Sequence, residues 1–180
     1  MNYRDNISDN TNKKEKQKMK TLILAVILIT APVLSQELRI VEDEFRGDKM
    51  VFLEKNVVDR GFMINAGMSS DKIFVFVDYV SMRASRREYR NSWLFLDELL
   101  LMVDGELIEF KSLTTDRNTV RGGGVTERAF FIAELSDIEK IAGAEEVRYR
   151  IRGSRGRNEG DFSQENIEGF RKFYQHLTER

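Results

Sequence analysis

Alternating apolar and polar positions recur along the chain, and the densest apolar run beyond its N-terminal region is SWLFLDELLLMVDGELIEF, residues 92–110. Asp104-Gly105 divides this run. An Asp-Gly pair between apolar runs favours a hairpin with a two-residue type I′ turn, because both central residues need a positive φ. The pattern therefore predicts a hairpin with the arms Leu99–Val103 and Glu106–Phe110. Asp97-Glu98, just before the first arm, predicts a bulge or turn.

Two other segments have the β-branched and aromatic composition of buried strands. Lys72–Val80 (KIFVFVDYV) is apolar on both faces, which predicts a central strand covered on both sides. Asp78 is expected near the end of this strand, where it reaches water. The second segment is Ala129–Leu135 (AFFIAEL). Shorter apolar runs predict further strands at Met50–Leu53 and Gly61–Asn65. Gln36–Asp48 is expected to contain a short edge strand or, equally, to be a disordered N-terminus of the mature chain.

Two helices are predicted after the second buried strand. Ser136 and Glu139 have the spacing of a capping box, and they predict a short helix that ends near Gly143. Ser163 predicts the N-cap of a longer helix that runs to about residue 177. Apolar residues three and four positions apart give this helix one buried face, formed by Ile167, Phe170, Phe173, Tyr174 and Leu177.

The order of these elements indicates the fold class. Strands follow one another as hairpins instead of alternating with helices, which argues against a parallel α/β sheet. The polar segment Ser112–Arg128, with three consecutive glycines, is predicted to be a loop. We expect an α+β fold: a mostly antiparallel β-sheet or β-sandwich, with a short capped helix and a C-terminal amphipathic helix.

Residues 1–35 have the organisation of a targeting segment. A basic stretch precedes the uncharged run Thr21–Leu34, as in a secretory signal peptide. This run is shorter than the roughly 20 residues that span a bilayer. We expect cleavage after Ser35, with Met19 as an alternative start, and a single β-rich globular domain in residues 36–180. The expected location is exported, periplasmic or extracellular; an uncleaved leader that anchors the domain to a membrane is the alternative.

Composition excludes several kinds of chemistry. The chain has no cysteine and a single histidine, His176. Disulfides, thiolate nucleophiles and cysteine-bound metals are therefore excluded, and a Ser-His-Asp triad would depend on that one histidine. The carboxylates around the hairpin show no pair spaced for glycoside hydrolysis. We expect a protein that is not an enzyme and that has no cofactor and no metal.

Charge is distributed unevenly. Residues 36–180 carry 23 basic and 27 acidic side chains, and this mildly acidic balance argues against nucleic acid as a partner. Residues 146–152 alternate strictly, which places Val147, Tyr149 and Ile151 inward. The outward positions and the next turn carry the candidate site for an anionic ligand or protein partner, Arg148, Arg150, Arg152, Arg155 and Arg157. Pairing of these arginines with glutamates on neighbouring strands is the alternative.

A second basic cluster precedes the hairpin and consists of Arg83, Arg86, Arg87 and Arg90. It is a further candidate for an anion-binding loop, although it has no glycine-rich phosphate cradle. A solvated loop whose charges pair with acidic residues is the alternative.

The segment from Ala129 to Leu177 has a recognisable order of elements. A strand (AFFIAEL) leads to a capped helical turn (SDIEKIAGA), a strand that ends in an arginine–glycine turn (VRYRIRG) and a helix with an FRKFY core. This order resembles small exported bacterial β-sandwich-like domains of unknown function. The resemblance covers about a third of residues 36–180 and implies a β-sandwich-like domain. It carries no catalytic residues.

Two functional hypotheses follow from these features. The first is a non-enzymatic exported binding module that presents the five arginines to an anionic partner. The second is a small-molecule or lipid carrier with an apolar cavity between sheet and helix, lined by Phe74, Phe76, Trp93, Phe130 and Phe131.

Overall fold

The predicted hairpin around Asp104-Gly105 forms the middle of the folded sheet. In this structure, a computed structural model, the two turn residues have φ angles of 47° and 86°, the left-handed conformation that a type I′ turn requires. The arms are β6, Leu96–Val103, and β7, Glu106–Val120. A register shift in β6 confirms the bulge predicted at Asp97-Glu98.

The structure describes residues 36–42, 49–81, 92–120 and 124–179, and these contain ten strands and two helices. The predicted leader lies outside the described residues. The other strands are β1 (Glu37–Glu42), β2 (Lys49–Glu54), β3 (Val57–Asp59), β4 (Phe62–Ser69), β5 (Lys72–Ser81), β8 (Gly124–Ala133), β9 (Val147–Gly153) and β10 (Gly156–Asp161). The helices are α1 (Leu135–Gly143) and α2 (Gln164–Thr178).

All paired strands run antiparallel, in the order β1-β2-β4-β5-β8-β7-β6-β9-β10, with β3 paired to β4. The strands β1 and β10 are therefore the two edges of this order. A mostly antiparallel sheet with two helices confirms the predicted α+β class. We call the face that carries the helices the inner face and the opposite one the outer face.

The long strand β7 joins the two halves of the sheet. Its first part pairs with β6, and its second part, Ser112–Val120, pairs with β8. A register shift between Ser112 and Thr114 lies where β7 changes partner, and such an irregularity bends a strand. The predicted loop over Ser112–Arg128 is therefore wrong. Threonines and polar residues fill both faces here, so the segment lacks the apolar alternation that marks a strand.

The core lies between the inner face and the two helices. From α2, Ile167, Phe170 and Phe173 are fully buried, as the spacing of apolar residues predicts. The ring of Phe162, just before α2, lies 5.8 Å from Phe170 and 6.0 Å from Tyr149 of β9, measured between centroids. Buried residues of both halves of the sheet and of both helices thus form one cluster.

The two helix starts differ in how well they are predicted. Ser163 caps α2 as expected: its Oγ accepts the Asn166 N–H at 3.2 Å, and Asn166 Oδ1 accepts the Ser163 N–H at 2.8 Å. The predicted cap at Ser136 is wrong, because α1 begins two residues after the buried strand, at Leu135, with Glu134 as N-cap. Asp137 accepts the Glu134 N–H at 2.9 Å, which makes the earlier start favourable.

One single-residue expectation is also wrong. Asp78 is largely buried, and its carboxylate is satisfied by Arg128 on β8, which donates to it at 2.5 and 3.0 Å, instead of by solvent. Trp93 lies outside the buried core and is half-buried in the segment before β6. The strand β5 is central as predicted, but within the described residues the cover on its outer face comes from neighbouring side chains and not from another layer.

A buried carboxylate connects the two halves of the sheet. Glu127 on the inner face of β8 is 1% exposed. Its Oε1 accepts the backbone N–H groups of Leu94 and Phe95, the latter at 3.1 Å, and its Oε2 accepts that of Leu96 at 3.2 Å. Arg117 of β7 donates to Oε2 at 3.4 Å. Glu127 thus holds the segment that leads into β6.

The same segment contains a strained residue. Phe95 has a φ of 57°, which is unfavourable for a bulky side chain. Its backbone, with that of Leu94, passes so close to Gly153 of β9 that a Cβ there would collide with both carbonyl oxygens. The N–H of Arg155 donates to Leu94 O at 3.1 Å. The strained segment is therefore fixed from both sides, by Glu127 and by the end of β9.

A chain of buried polar side chains joins α2 to the outer face. Asn166 Nδ2 donates to Asn56 Oδ1 at 2.7 Å, and the Asn56 N–H donates to Asn65 Oδ1 at 3.0 Å. Asn65 Nδ2 in turn donates to Asp78 Oδ2 at 2.9 Å, and Asp78 binds Arg128. Because every link is paired, this network fixes the turn before β3 without leaving a buried group unsatisfied.

We expect Glu127→Gln to lower the free energy of unfolding by about 2–4 kcal/mol, since either orientation of the amide places an NH₂ group against N–H donors. Urea denaturation measures this change. The matched control is Glu109→Gln, at an exposed position of β7, with an expected effect within about 0.5 kcal/mol. Equal effects of the two substitutions would contradict the anchoring role of Glu127.

Candidate functional site

The strand β9 has the predicted orientation. Val147, Tyr149 and Ile151 are buried in the core, and the three intervening arginines project from the outer face, where their side chains are at least half exposed. The outer face of β7, β6, β9 and β10 is called the arginine face below. It carries five basic residues, Lys111, Arg148, Arg150, Arg152 and Arg157, and four acidic residues, Glu98, Glu109, Glu159 and Asp161.

Each arginine on this face lies beside a carboxylate, and for the three arginines of β9 that carboxylate belongs to a neighbouring strand. Arg150 donates to Glu159 at 2.8 Å, and Arg157 lies 3.3 Å from the same residue. Arg148 lies 3.4 Å from Asp161, and Arg152 lies 3.8 Å from Glu98. The cross-strand pairing considered as the alternative is therefore present. Exposed pairs of this kind contribute at most ~1 kcal/mol each, so their main effect is to position the guanidinium groups.

Arg155 is separate from the other four arginines. It lies in the turn between β9 and β10, with its guanidinium carbon 4.7 Å from the centroid of the Phe95 ring. Arg117 lies over the same ring at 5.0 Å. The structure thus gathers Arg148, Arg150, Arg152 and Arg157 on one face and assigns Arg155 to the packing of the strained segment before β6.

An apolar cleft adjoins the arginines. Leu100 and Met102 of β6 and Leu107 of β7 form its floor, and Arg148 and Arg150 stand beside them. Met102 lies opposite both Leu107 and Arg148 in the strand register, so floor and arginines are on adjacent strands. The cleft has a volume of about 350 Å³ and is open to solvent. Glu159, Gly160 and Asp161 of β10 line its far side.

Sequence reasoning missed this floor, although a signal was present. Residues 99–103 are apolar at five consecutive positions, and a strand turns alternate side chains to opposite faces. If Leu99, Leu101 and Val103 form the core, then Leu100 and Met102 must lie on the outer face. The same alternation places Leu107 on the side opposite to Ile108 and Phe110, which are buried.

Tyr149 lies at the inner border of the cleft. A Cβ on Gly160 would lie 2.7 Å from its hydroxyl oxygen, so only glycine at that position lets the ring pass beneath β10. Burial raises the pKa of Tyr149 to about 12, and the nearby carboxylates Asp59 and Asp161 act in the same direction. The phenol therefore stays neutral over the whole physiological range.

An aromatic cluster occupies the outer face of the other half of the sheet. Phe52, Phe74, Phe76 and Phe130 form a cluster with ring centroids 5.6–6.3 Å apart. Arg39 and Arg128 lie over two of the rings, at 5.4 and 4.9 Å. Phe52 and Phe74 close over Gly67, where a Cβ would lie 2.5 Å from the Phe74 ring.

This cluster bears on the carrier hypothesis. Of the five residues expected to line a cavity between sheet and helix, Phe74, Phe76 and Phe130 lie on the outer face and Phe131 lies in the core. Trp93 is in the segment before β6. The structure therefore does not bring these five residues together around one cavity.

Other candidate chemistry is limited. In the described ranges, no group of three His, Asp or Glu side chains is arranged to hold a metal ion, and no helix there is long and apolar enough to cross a membrane. The basic cluster at Arg83, Arg86, Arg87 and Arg90 lies outside the described residues. No protein-family model, no curated protein and no solved structure matches the chain.

We expect the folded protein to lose stability as the pH rises from about 10 to about 12. The pKa of Tyr149 is about 12 in the fold and near 10 in the unfolded chain. The contribution of its neutral phenol is therefore complete below pH 10 and is lost as the pH approaches 12. Tyrosine absorbance near 295 nm, titrated for the protein and for Tyr149→Phe, measures this group; a Tyr149 titration near pH 10 in the folded protein would contradict the assignment.

Proposed function

We propose that this domain is an exported, non-enzymatic binding module and that the arginine face receives an anionic partner, either a ligand or a protein segment. The observation that carries the proposal is the exposed row of Arg148, Arg150 and Arg152 beside the open cleft. A flat strand face that displays cations next to an accessible apolar floor is unusual for a solvated sheet, where outward positions are ordinarily polar throughout.

The geometry of the ion pairs supports binding by the arginines. Arg150 and Arg157 share the single carboxylate of Glu159, so this part of the face has more cations than anions. The pairs are exposed, and an incoming anion therefore meets guanidinium groups that are held in place but still accessible. Arg–carboxylate contacts of this kind give both orientation and charge complementarity at an interface.

For such a partner, the local distribution of charge on the arginine face matters more than the net charge of the domain. A net charge of −4 over residues 36–180 discourages association with nucleic acid, which carries one charge at every phosphate. A short anionic ligand or peptide segment meets mainly the local field of the arginine face. The partner we propose is therefore of that kind, and not a long polyanion such as DNA or RNA.

We expect Arg150→Glu to weaken the binding of a hexaglutamate peptide about 3- to 10-fold, because the substitution removes a cation and adds a like charge at the proposed site. Isothermal titration calorimetry at low and at 0.5 M salt measures the affinity, which should fall with salt. Arg39→Glu is the matched control, since Arg39 and Arg150 are both 51% exposed in the side chain and both pair with a glutamate. Equal losses for the two variants, or no binding, would refute the proposal.

Export is the second part of the proposal, and it rests on the basic stretch and the uncharged run within residues 1–35. We expect the mature protein to begin at Gln36. N-terminal sequencing of the full-length chain, expressed in a bacterium and recovered from the periplasm or medium, tests this cleavage. An intact N-terminus on a membrane-bound product would instead favour the uncleaved anchor.

A further inference from the structure

We infer that the cleft on the arginine face binds an amphipathic anion, with an apolar chain on the floor of Leu100, Met102 and Leu107 and a carboxylate or phosphate head on Arg148 and Arg150. This inference rests on the proposed function and narrows it. It assigns a chemical class to the ligand and a separate role to the apolar residues, which the proposed function does not require.

The floor is the first observation. Its three residues come from two adjacent strands and lie at outward positions, and Leu107 is 56% exposed. Outward positions on a solvated antiparallel sheet are ordinarily polar, so three neighbouring apolar residues there expose surface that a ligand chain would cover. The sheet has no need of them for its core, because Leu99, Leu101 and Ile108 fill the inner positions of the same strands.

The second observation concerns the two arginines that would bind the head group. Among the described residues, Arg148 and Arg150 engage their carboxylate partners through Nε. The two side chains are 68% and 51% exposed, so a further acceptor can reach them, and each guanidinium group has a fork of donors that matches a carboxylate or phosphate. Because Glu159 is shared with Arg157, the three arginines around the head position exceed the two carboxylates by one charge.

The relative placement of floor and head is the third observation. Met102 is directly opposite Arg148, and Leu100 is directly opposite Arg150. Neighbouring strands lie about 4.8 Å apart, so a chain on β6 and β7 would bring its charged end to β9 without bending away from the sheet. The cleft volume of about 350 Å³ is at the lower end of the range for small-ligand sites. A short chain with one terminal anion fits this arrangement.

The first experiment titrates the folded protein with butanoate, hexanoate and octanoate at monomeric concentrations, monitored by amide and arginine Nε–H NMR signals. We expect the affinity to rise about two- to fourfold per added methylene, the factor that a largely buried CH₂ gives. Signals of Arg148 and Arg150 should move with every member of the series. Octylamine, with the same chain and the opposite charge, should bind at least tenfold more weakly than octanoate.

Two substitutions separate the chain from the head. Leu107→Asn should remove the dependence on chain length and leave butanoate binding unchanged, whereas Arg148→Gln should weaken the whole series. Leu113→Asn is the matched control, because Leu113 lies on the same strand, is 64% exposed and is outside the cleft. Since all three positions are exposed, their variants are expected to remain folded, and amide spectra verify this.

The source of the anion is tested with vesicles. If the protein binds phosphatidylglycerol vesicles more tightly than phosphatidylcholine vesicles, and if Leu107→Asn weakens this binding, the ligand is a lipid. If it binds monomeric octanoate but not vesicles, the ligand is a free acyl anion. Either result supports the amphipathic class.

The remaining outcomes overturn the inference or the function beneath it. Three outcomes would overturn the inference: an affinity that is independent of chain length, equal binding of octylamine and octanoate, or equal effects of Leu107→Asn and Leu113→Asn. The proposed function would stand in these cases if hexaglutamate still bound and Arg150→Glu still weakened its binding. Absence of binding by both the alkyl carboxylates and hexaglutamate would overturn both.

Discussion

The fold depends on the contact between the Glu127 carboxylate and the backbone of residues 94–96. The two halves of the sheet share the strand β7, which bends at one bulge, and they pack on a common apolar core that has no directional contacts. Glu127 adds a second connection, from β8 to the entry of β6, inside the core where water cannot compete. It also supports the unfavourable φ of Phe95. The position of β6, and with it the floor of the cleft, follows from this buried charge.

The ion pairs on the arginine face orient side chains more than they stabilise the fold. Each guanidinium group on β9 is oriented by a carboxylate one strand away, and exposed pairs contribute little to the free energy of unfolding. They do restrict long side chains that would otherwise sample many rotamers. When an anion binds there, the arginine side chains lose less conformational entropy than unpaired arginines would lose. This smaller entropy loss is the advantage of a preorganised site.

Much of the fold could be predicted from local pattern. The Asp-Gly turn, the strand at Lys72–Val80, the alternation of β9 and the Ser163 cap each depend on a few adjacent residues, and the structure confirms them. The second half of β7 could not be predicted, because its strand character comes from pairing with β8 and not from apolar alternation. Glu127 lies two and four positions before Ala129 and Phe131, so in a strand all three side chains point inward. A buried carboxylate can be predicted only when its hydrogen-bond donors are known.

The candidate site was predictable only in part, for the same reason. The alternation of β9 is visible in the sequence, whereas the carboxylates beside its arginines and the apolar floor come from strands that are distant along the chain. Likewise, the phenylalanines on the outer face could be recognised as aromatic strand residues, but their side of the sheet depends on which face the helices cover.

The edge strand β1 has one consequence for the behaviour of the molecule in solution. An unpaired strand edge can template pairing with another chain, and long antiparallel sheets are exposed to polymerisation for this reason. Among the described residues β1 pairs with β2 alone, and Glu37 pairs with Lys55 and Arg39 with Glu54, so charged groups flank its other hydrogen-bonding edge. Any chain that docked there would have to desolvate these ions. The charges of β1 therefore protect the ten-stranded sheet against self-assembly into fibres.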